Sequence, residues 1–212
     1  MKKQTPRPPS QSWRTFLSNH MRQTAACDFF LIFTIHYRLL VCFLVLSHDR
    51  RRIVHFNVTP NPTSEWTAQQ VIEDFPGDGS VPKYLVRDRD AIYGTFFRRR
   101  VKGMGIQEVI IARKSPWQNP YVERVIGSIR RECLDHVILL GERHLRRILK
   151  EYIGYYNNSR THLSLQKNSP IPREIESPEK GSRNRNPNGR WIAPPIQAGC
   201  VNPQRGRRKV RR

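Results

Sequence analysis

Acidic residues are scarce in this chain. Seventeen Asp and Glu stand against 38 Lys and Arg in 212 residues, a formal net charge of +21. An excess of that size says little about fold and much about partners. Nucleic acid comes first, an anionic membrane surface second. Cysteine is sparse too. Cys27, Cys42, Cys133 and Cys200 form no CxxC pair and have no His at zinc-finger spacing. That pattern argues against a structural zinc site and against a secreted disulfide scaffold, and fits a reducing cytosol. The basic N-terminal stretch leads into no apolar core with a cleavage site, so no signal peptide is expected. One run, Phe29 to Leu46, is long and apolar enough to resemble a membrane span, but His36, Tyr37 and Arg38 interrupt it. An arginine at a bilayer centre is costly. The run therefore reads as two buried strands, Asp28–Ile35 and Leu39–Ser47, joined by a polar turn, and no membrane partner is expected.

What is present divides the chain into three. Hydrophobic residues make up 37% of it, with four Trp, seven Tyr and nine Phe, enough for the core of one ordinary domain. Residues 1–24 are polar and basic without a clear period. Residues 25–168 carry every strong periodic signal. Residues 169–212 open on Ser-Pro-Ile-Pro and then lose all pattern. From Lys180 onward there are ten Lys or Arg and no acid. Such a tail reads as a disordered, solvated arm that touches phosphates without reading sequence.

The order of elements within the middle part is readable. After the two strands, Arg52–Thr59 alternates as a third, giving an antiparallel meander. Thr63–Phe75 carries a helical stripe that Asn61 or Thr63 can cap, and Pro76-Gly77-Asp78-Gly79 breaks the chain. Lys83–Arg87 is a short strand, Tyr93–Val101 a helix and Ile106–Ala112 another strand. Asn119-Pro120 reads as a capping residue followed by proline at the first helical position. The helix after it has Val122, Val125, Ile126 and Ile129 on one face. Leu145 to Tyr156 repeats at three-four spacing as a last amphipathic helix. Three antiparallel strands followed by helix, strand, helix, strand and helices define an α/β protein with a mixed sheet.

In so basic a protein, acids at strand ends need a reason. Asp28 lies in the first apolar strand. Asp88 lies just past the fourth, where open α/β sheets place their sites. Glu123 lies in the first turn of the helix that opens at Asn119. If the first and fourth strands are neighbours, Asp28 and Asp88 converge and Glu123 closes the site. Each acid alone has a plainer reading. Asp28 can satisfy a turn, Asp88 can pair with Arg87 or Arg89, and Glu123 can be favoured by the helix dipole. Three carboxylates in one pocket repel one another unless a cation neutralises them. Mg²⁺ and Mn²⁺ prefer oxygen ligands, so the set suits a phosphoryl-transfer centre with two metals roughly 3.5–4 Å apart.

A set of ordered motifs extends over residues 25–168. They are Cys27-Asp28-Phe29-Phe30, Tyr84-Leu85-Val86-Arg87-Asp88-Arg89-Asp90, and Ser115-Pro116-Trp117-Gln118-Asn119-Pro120-Tyr121-Val122-Glu123-Arg124. Gly127, Arg130-Arg131-Glu132-Cys133-Leu134-Asp135, Tyr156-Asn157, Arg160, His162 and Leu165 follow. This set resembles the integrase core of bacterial insertion-sequence transposases and retroviral integrases, the DDE family. The resemblance implies an RNase H-like fold with a five-stranded mixed sheet. It implies Asp28, Asp88 and Glu123 as the catalytic, metal-holding triad for two Mg²⁺ or Mn²⁺ ions. Thirty-four residues separate Asp88 from Glu123, near the family's usual spacing. Asp90 is the rival to Asp88, and Tyr93 or Phe96 following in the family's aromatic position favours Asp88. Lys114, Gln118 and Asn119 in the loop before the Glu123 helix, with Arg124, Arg130 and Arg131 on it, are candidate DNA contacts. Asn157, Arg160 and His162 read as packing residues, with Thr161 where the family usually has Pro.

The implied activity is DNA integration or transposition by a DDE-type polynucleotidyl transferase of a mobile element. It would act on element ends and target DNA, as a homo-oligomer, in the bacterial cytoplasm at the nucleoid. The family's usual N-terminal DNA-binding region has no counterpart in the 24 residues before the first strand, so a core-only or truncated transposase is expected. Two other readings stand beside it: an inactive, charge-driven DNA-binding fragment and a metal-dependent nuclease of the same fold.

Overall fold

The computed structural model describes residues 12–75, 81–113 and 115–172. The Pro76–Gly79 break, Lys114 and most of the basic C-terminal segment lie outside the described residues. The chain forms two compact units, Met1–Arg146 and Arg147–Arg212.

The first unit holds a five-stranded sheet. Its strands are β1 (Thr24–Phe33), β2 (Leu39–Ser47), β3 (Ile53–Thr59), β4 (Tyr84–Arg87) and β5 (Gln107–Ile110), in the spatial order β3-β2-β1-β4-β5. The β1–β2 and β2–β3 pairs are antiparallel; β1–β4 and β4–β5 are parallel. This is the mixed sheet expected from the element order, and β1 and β4 are neighbours.

One face of the sheet is covered by α2 (Ser64–Asp74) and α3 (Thr95–Gly103). Cys27, Phe43, Val45 and Leu85 pack there against Ala68, Val71, Phe97 and Val101. Thr63 caps α2, its hydroxyl accepting from the Trp66 N–H at 3.1 Å. α4 (Pro120–Glu132) packs against β1 and β2. α5 (Glu142–Asn158) begins in the first unit and continues into the second. In the second unit Tyr156, Asn157 and His162 are buried. The Arg160 guanidinium lies 5.5 Å from the Tyr156 ring centroid, and the Tyr156 and His162 rings meet edge to face.

Several boundaries differ from the sequence reading. β1 runs Thr24–Phe33 rather than Asp28–Ile35, so Asp28 stands mid-strand. The segment before residue 24 carries no period, yet Trp13–His20 forms a helix, α1, capped by the Ser12 hydroxyl. Leu17 is its one buried residue, and Phe16 meets the Tyr84 ring edge-on at 5.1 Å. A two-turn helix anchored by single contacts is too short to show a period. The helix expected from Tyr93 begins instead at Thr95. The preceding loop is held by side chains that accept from the backbone, Asp88 from the Asp90 N–H and Asp90 from the Ile92 N–H. Such bonds offer the backbone an alternative to the helix. Among the described residues no helix is long and apolar enough to cross a membrane.

Candidate active site

Asp28 sits in β1 opposite Leu44, two residues beyond the stretch paired with β4. Asp88 follows the last residue of β4, and Glu123 lies in the first turn of α4. Parallel pairing of β1 with β4, and α4 lying across β1, bring the three carboxylates to one open cavity of ≈ 770 Å³. Asp90 lines it as well.

Burial dominates the electrostatics of this cavity. Asp28 accepts from the Phe29 N–H at 2.8 Å. Burial nonetheless pushes its carboxyl up to about 7, and the charges of Glu123, Asp88 and Asp90 push the same way. Burial also raises Asp88; the Asp90 N–H and the Arg87 charge oppose, and the Asp90 charge adds. Neither flanking arginine forms an ion pair with Asp88. Arg87 pairs with Glu108 and donates to the Asp88 backbone carbonyl at 2.8 Å; Arg89 donates to the Ile111 carbonyl at 3.0 Å. The simpler pairing of Asp88 with its neighbours is therefore not what the fold adopts.

Among the described residues no three His, Cys, Asp or Glu side chains are drawn together as a metal-holding group. The donor set itself is nonetheless of the kind a hard divalent cation takes. It consists only of oxygen, it faces open space, and burial holds the Asp28 and Asp88 carboxyls above their ordinary range.

The other expected site residues separate. Asn119 lines the cavity but is 2% exposed. It stands at the N-cap of α4 without making a side-chain capping bond. Its Nδ2 donates instead to the Cys27 carbonyl at 3.5 Å, bracing the α4 start against the strand residue before Asp28. The expectation of a capping side chain is corrected here, because a buried backbone carbonyl on β1 lies within reach. The Gln118 Oε1 accepts from the Ala112 N–H at 2.7 Å and so closes the loop after β5. The Arg130 Nη2 donates to the Leu31 carbonyl at 3.0 Å, its guanidinium 5.7 Å from the Phe30 ring centroid. Arg124 and Arg131 are exposed, and Lys114 lies outside the described residues. Three arginines outside the expected DNA contacts, Arg89, Arg98 and Arg113, line the cavity with the acids, as does Arg87. The signal for one of them was the basic run Arg98–Arg100 beginning one turn into α3.

Residues 104–170 match the family model described as the integrase core domain. No curated protein matches the chain. Solved structures do. The chain is similar to a chain of the simian T-cell lymphotropic virus intasome, solved with the PP2A regulatory subunit B56 gamma. The identity is 14%, the TM-score 0.57, and the match covers 74% of this chain and 58% of that one. It is similar to the HTLV-2 integrase catalytic core domain solved with magnesium in a dimeric form. There the identity is 12%, the TM-score 0.55, and the coverage 70% of this chain and 93% of that one. It is also similar to the catalytic domain of Mos1 mariner transposase, at 12% identity and a TM-score of 0.57, covering 67% of this chain and 77% of that one. At these identities the likeness is one of fold. The fold is the RNase H-like one of integrase and transposase catalytic domains, and the integrase core match falls on residues 104–170 of it.

Proposed function

We propose that this chain transfers phosphoryl groups on DNA, joining a 3′-hydroxyl end to a target strand, as the core of a DDE-type integrase or transposase. The observation that carries this reading is the meeting of Asp28, Asp88 and Glu123 at one cavity with no ion-pair partner among the described residues. The three carboxylates would hold Mg²⁺ or Mn²⁺. The bound metal would supply charge stabilisation for the attacking and leaving oxygens. Each acid has its own support: β1 carries Asp28, the Asp88–Asp90 turn holds Asp88, and the Asn119 contact to Cys27 braces the α4 terminus that carries Glu123. The +21 charge supplies a surface for DNA. DNA as partner, residues 25–168 as catalytic region and a homo-oligomer as working form belong to the same proposal. Dimeric and trimeric forms of the similar HTLV-2 core support the last point.

A strand-transfer and nicking assay on labelled DNA from the flanks of the gene, with Mn²⁺ or Mg²⁺, tests it. The expected result is metal-dependent joined product that disappears in Glu123→Gln. Cutting without joining would replace this reading with a nuclease. Binding without any product would replace it with a DNA-binding fragment.

A further inference from the structure

The cavity has a second wall. Arg89 follows β4, Arg98 lies on α3 and Arg113 follows β5, and all three line the space that Asp28, Asp88, Asp90 and Glu123 face. The simplest role for arginines beside acids is to neutralise them. Their geometry speaks against it. Among the described residues none of these arginines makes an ion pair with any of the four acids. Arg89 is tethered through Nε to the Ile111 carbonyl, which leaves its terminal nitrogens unengaged by that bond. Arg98 and Arg113 are exposed, and among the described residues their guanidiniums make no hydrogen bond or ion pair; only their backbones bond, Arg98 to Gly94 and Arg113 to Ser115. Arg87 is the contrast. It is buried, bound to Glu108, and belongs to the framework.

Arg98 is also firmly mounted. Arg98 follows Phe97, which is fully buried in the core with Val101 and sets the rotation of α3. Its neighbours Arg99 and Arg100 do not line the cavity, and Arg100 stacks over Phe96. The basic run therefore splits, with one arginine turned to the site. Guanidiniums without an ion pair, facing open space, suit an anionic two-oxygen acceptor such as a phosphodiester.

We propose that Arg98 and Arg113, with Arg89 beside them, form a phosphate-receiving wall that seats the DNA backbone against the carboxylate wall. This deepens the proposed function and rests on it for the identity of the strand. The three arginines are positioning residues: they hold phosphate oxygens and take no part in proton or bond transfer.

The test is DNA binding by the full chain carrying Asp88→Asn and Glu123→Gln, in EDTA. That background cannot cut and has two fewer negative charges in the cavity. The probe is a fluorescent 30-mer duplex titrated over a range of salt concentrations. Arg98→Ala and Arg113→Ala are each expected to weaken binding roughly fivefold at low salt. Each should also shallow the slope of log K against log salt by about one. Arg98→Lys should recover part of the affinity and the full slope. Arg99→Ala, on the same helix but off the cavity, should stay within about twofold with an unchanged slope. Thermal midpoints confirm that each variant is folded. Equal losses in Arg98→Ala, Arg113→Ala and Arg99→Ala would mean diffuse attraction and overturn the wall; so would unchanged slopes in the first two. Binding here requires neither metal nor turnover, so its outcome is separable from that of the strand-transfer assay.

Discussion

The guanidinium of Arg87, 1% exposed between β4 and β5, is ion-paired with Glu108 on the neighbouring strand, Nε donating to Oε2 at 3.2 Å. The same guanidinium donates to the Asp88 carbonyl, and the Arg87 carbonyl accepts from the Ile111 N–H. A single residue thus ties the Asp88 turn to the strand after which Arg113 emerges. Removing one partner of a buried pair leaves the other charge uncompensated and costs about 3–5 kcal/mol. Glu108→Ala is therefore expected to lose stability of that order in urea unfolding, and strand transfer with it. Arg87→Met with Glu108→Leu should recover most of the stability, because an apolar pair of similar volume leaves no stranded charge. A Glu108→Ala loss below about 0.5 kcal/mol, the ordinary surface level, would show that the pair is not holding the turn.

Asp88 and Asp90 are close rivals in sequence and differ in the structure. The Asp88 carboxyl is half-buried and raised; Asp90 is exposed, and its Oδ1 accepts from the Ile92 N–H. Asparagine preserves the acceptor that each turn needs. Asp88→Asn is thus expected to bring strand transfer to background with the fold intact, whereas Asp90→Asn keeps it within about tenfold. Initial rates in Mn²⁺ check this. The opposite ranking would move the second carboxylate to Asp90.

What was legible in the sequence was whatever leaves a local trace. The order of strands and helices follows from alternation and helical stripes, and it specified the mixed sheet. An acid inside the apolar run at Asp28 is visible because nothing else polar stands near it. What was not legible depends on chain crossings. Asn119 has the composition of a cap, but its side chain goes to a carbonyl 92 residues earlier. Gln118 and Arg130 look like surface contacts and instead bind backbone carbonyl and amide groups of the same unit. Arg98 and Arg113 come to the Asp28 cavity through the parallel order of β1, β4 and β5 and the packing of α3, which no local pattern records.

Asp74, at the end of α2, provides a pH signature away from the cavity. Its Oδ2 is buried without a hydrogen-bond partner, and burial raises its carboxyl from 3.8 to about 7, opposed by the Arg52 charge. Between about pH 4 and 7 the folded chain keeps a proton that the unfolded chain releases. Stability therefore falls as pH rises through that window, by up to about 4 kcal/mol from this group, and stays lower above it. Asp74→Asn should match wild type near pH 4 and exceed it at pH 8. Unfolding free energies across that range check the difference curve. Parallel curves would mean that Asp74 is solvated in the folded chain.

Asp28 faces the same physics with a different consequence. In the metal-free chain at pH 8 its carboxylate is ionised in a partly buried position beside Glu123, Asp88 and Asp90, which is why its carboxyl is raised to about 7. Asp28→Asn keeps the oxygen that accepts from the Phe29 N–H and removes the charge. In EDTA at pH 8 the variant is expected to be more stable than wild type, by up to about 4 kcal/mol. Added Mg²⁺ should narrow that gap. Ligand that binds the folded state alone adds about 1.4 kcal/mol at ten times its dissociation constant, and only wild type retains the carboxylate set that takes it. Thermal melts with and without 10-fold excess metal over that constant therefore measure a trade. A charge that destabilises the empty fold is one the fold keeps for a cation. If Asp28→Asn were the less stable protein in EDTA, or if Mg²⁺ raised both midpoints equally, Asp28 would be a structural acid and the carboxylate set would lose its first member.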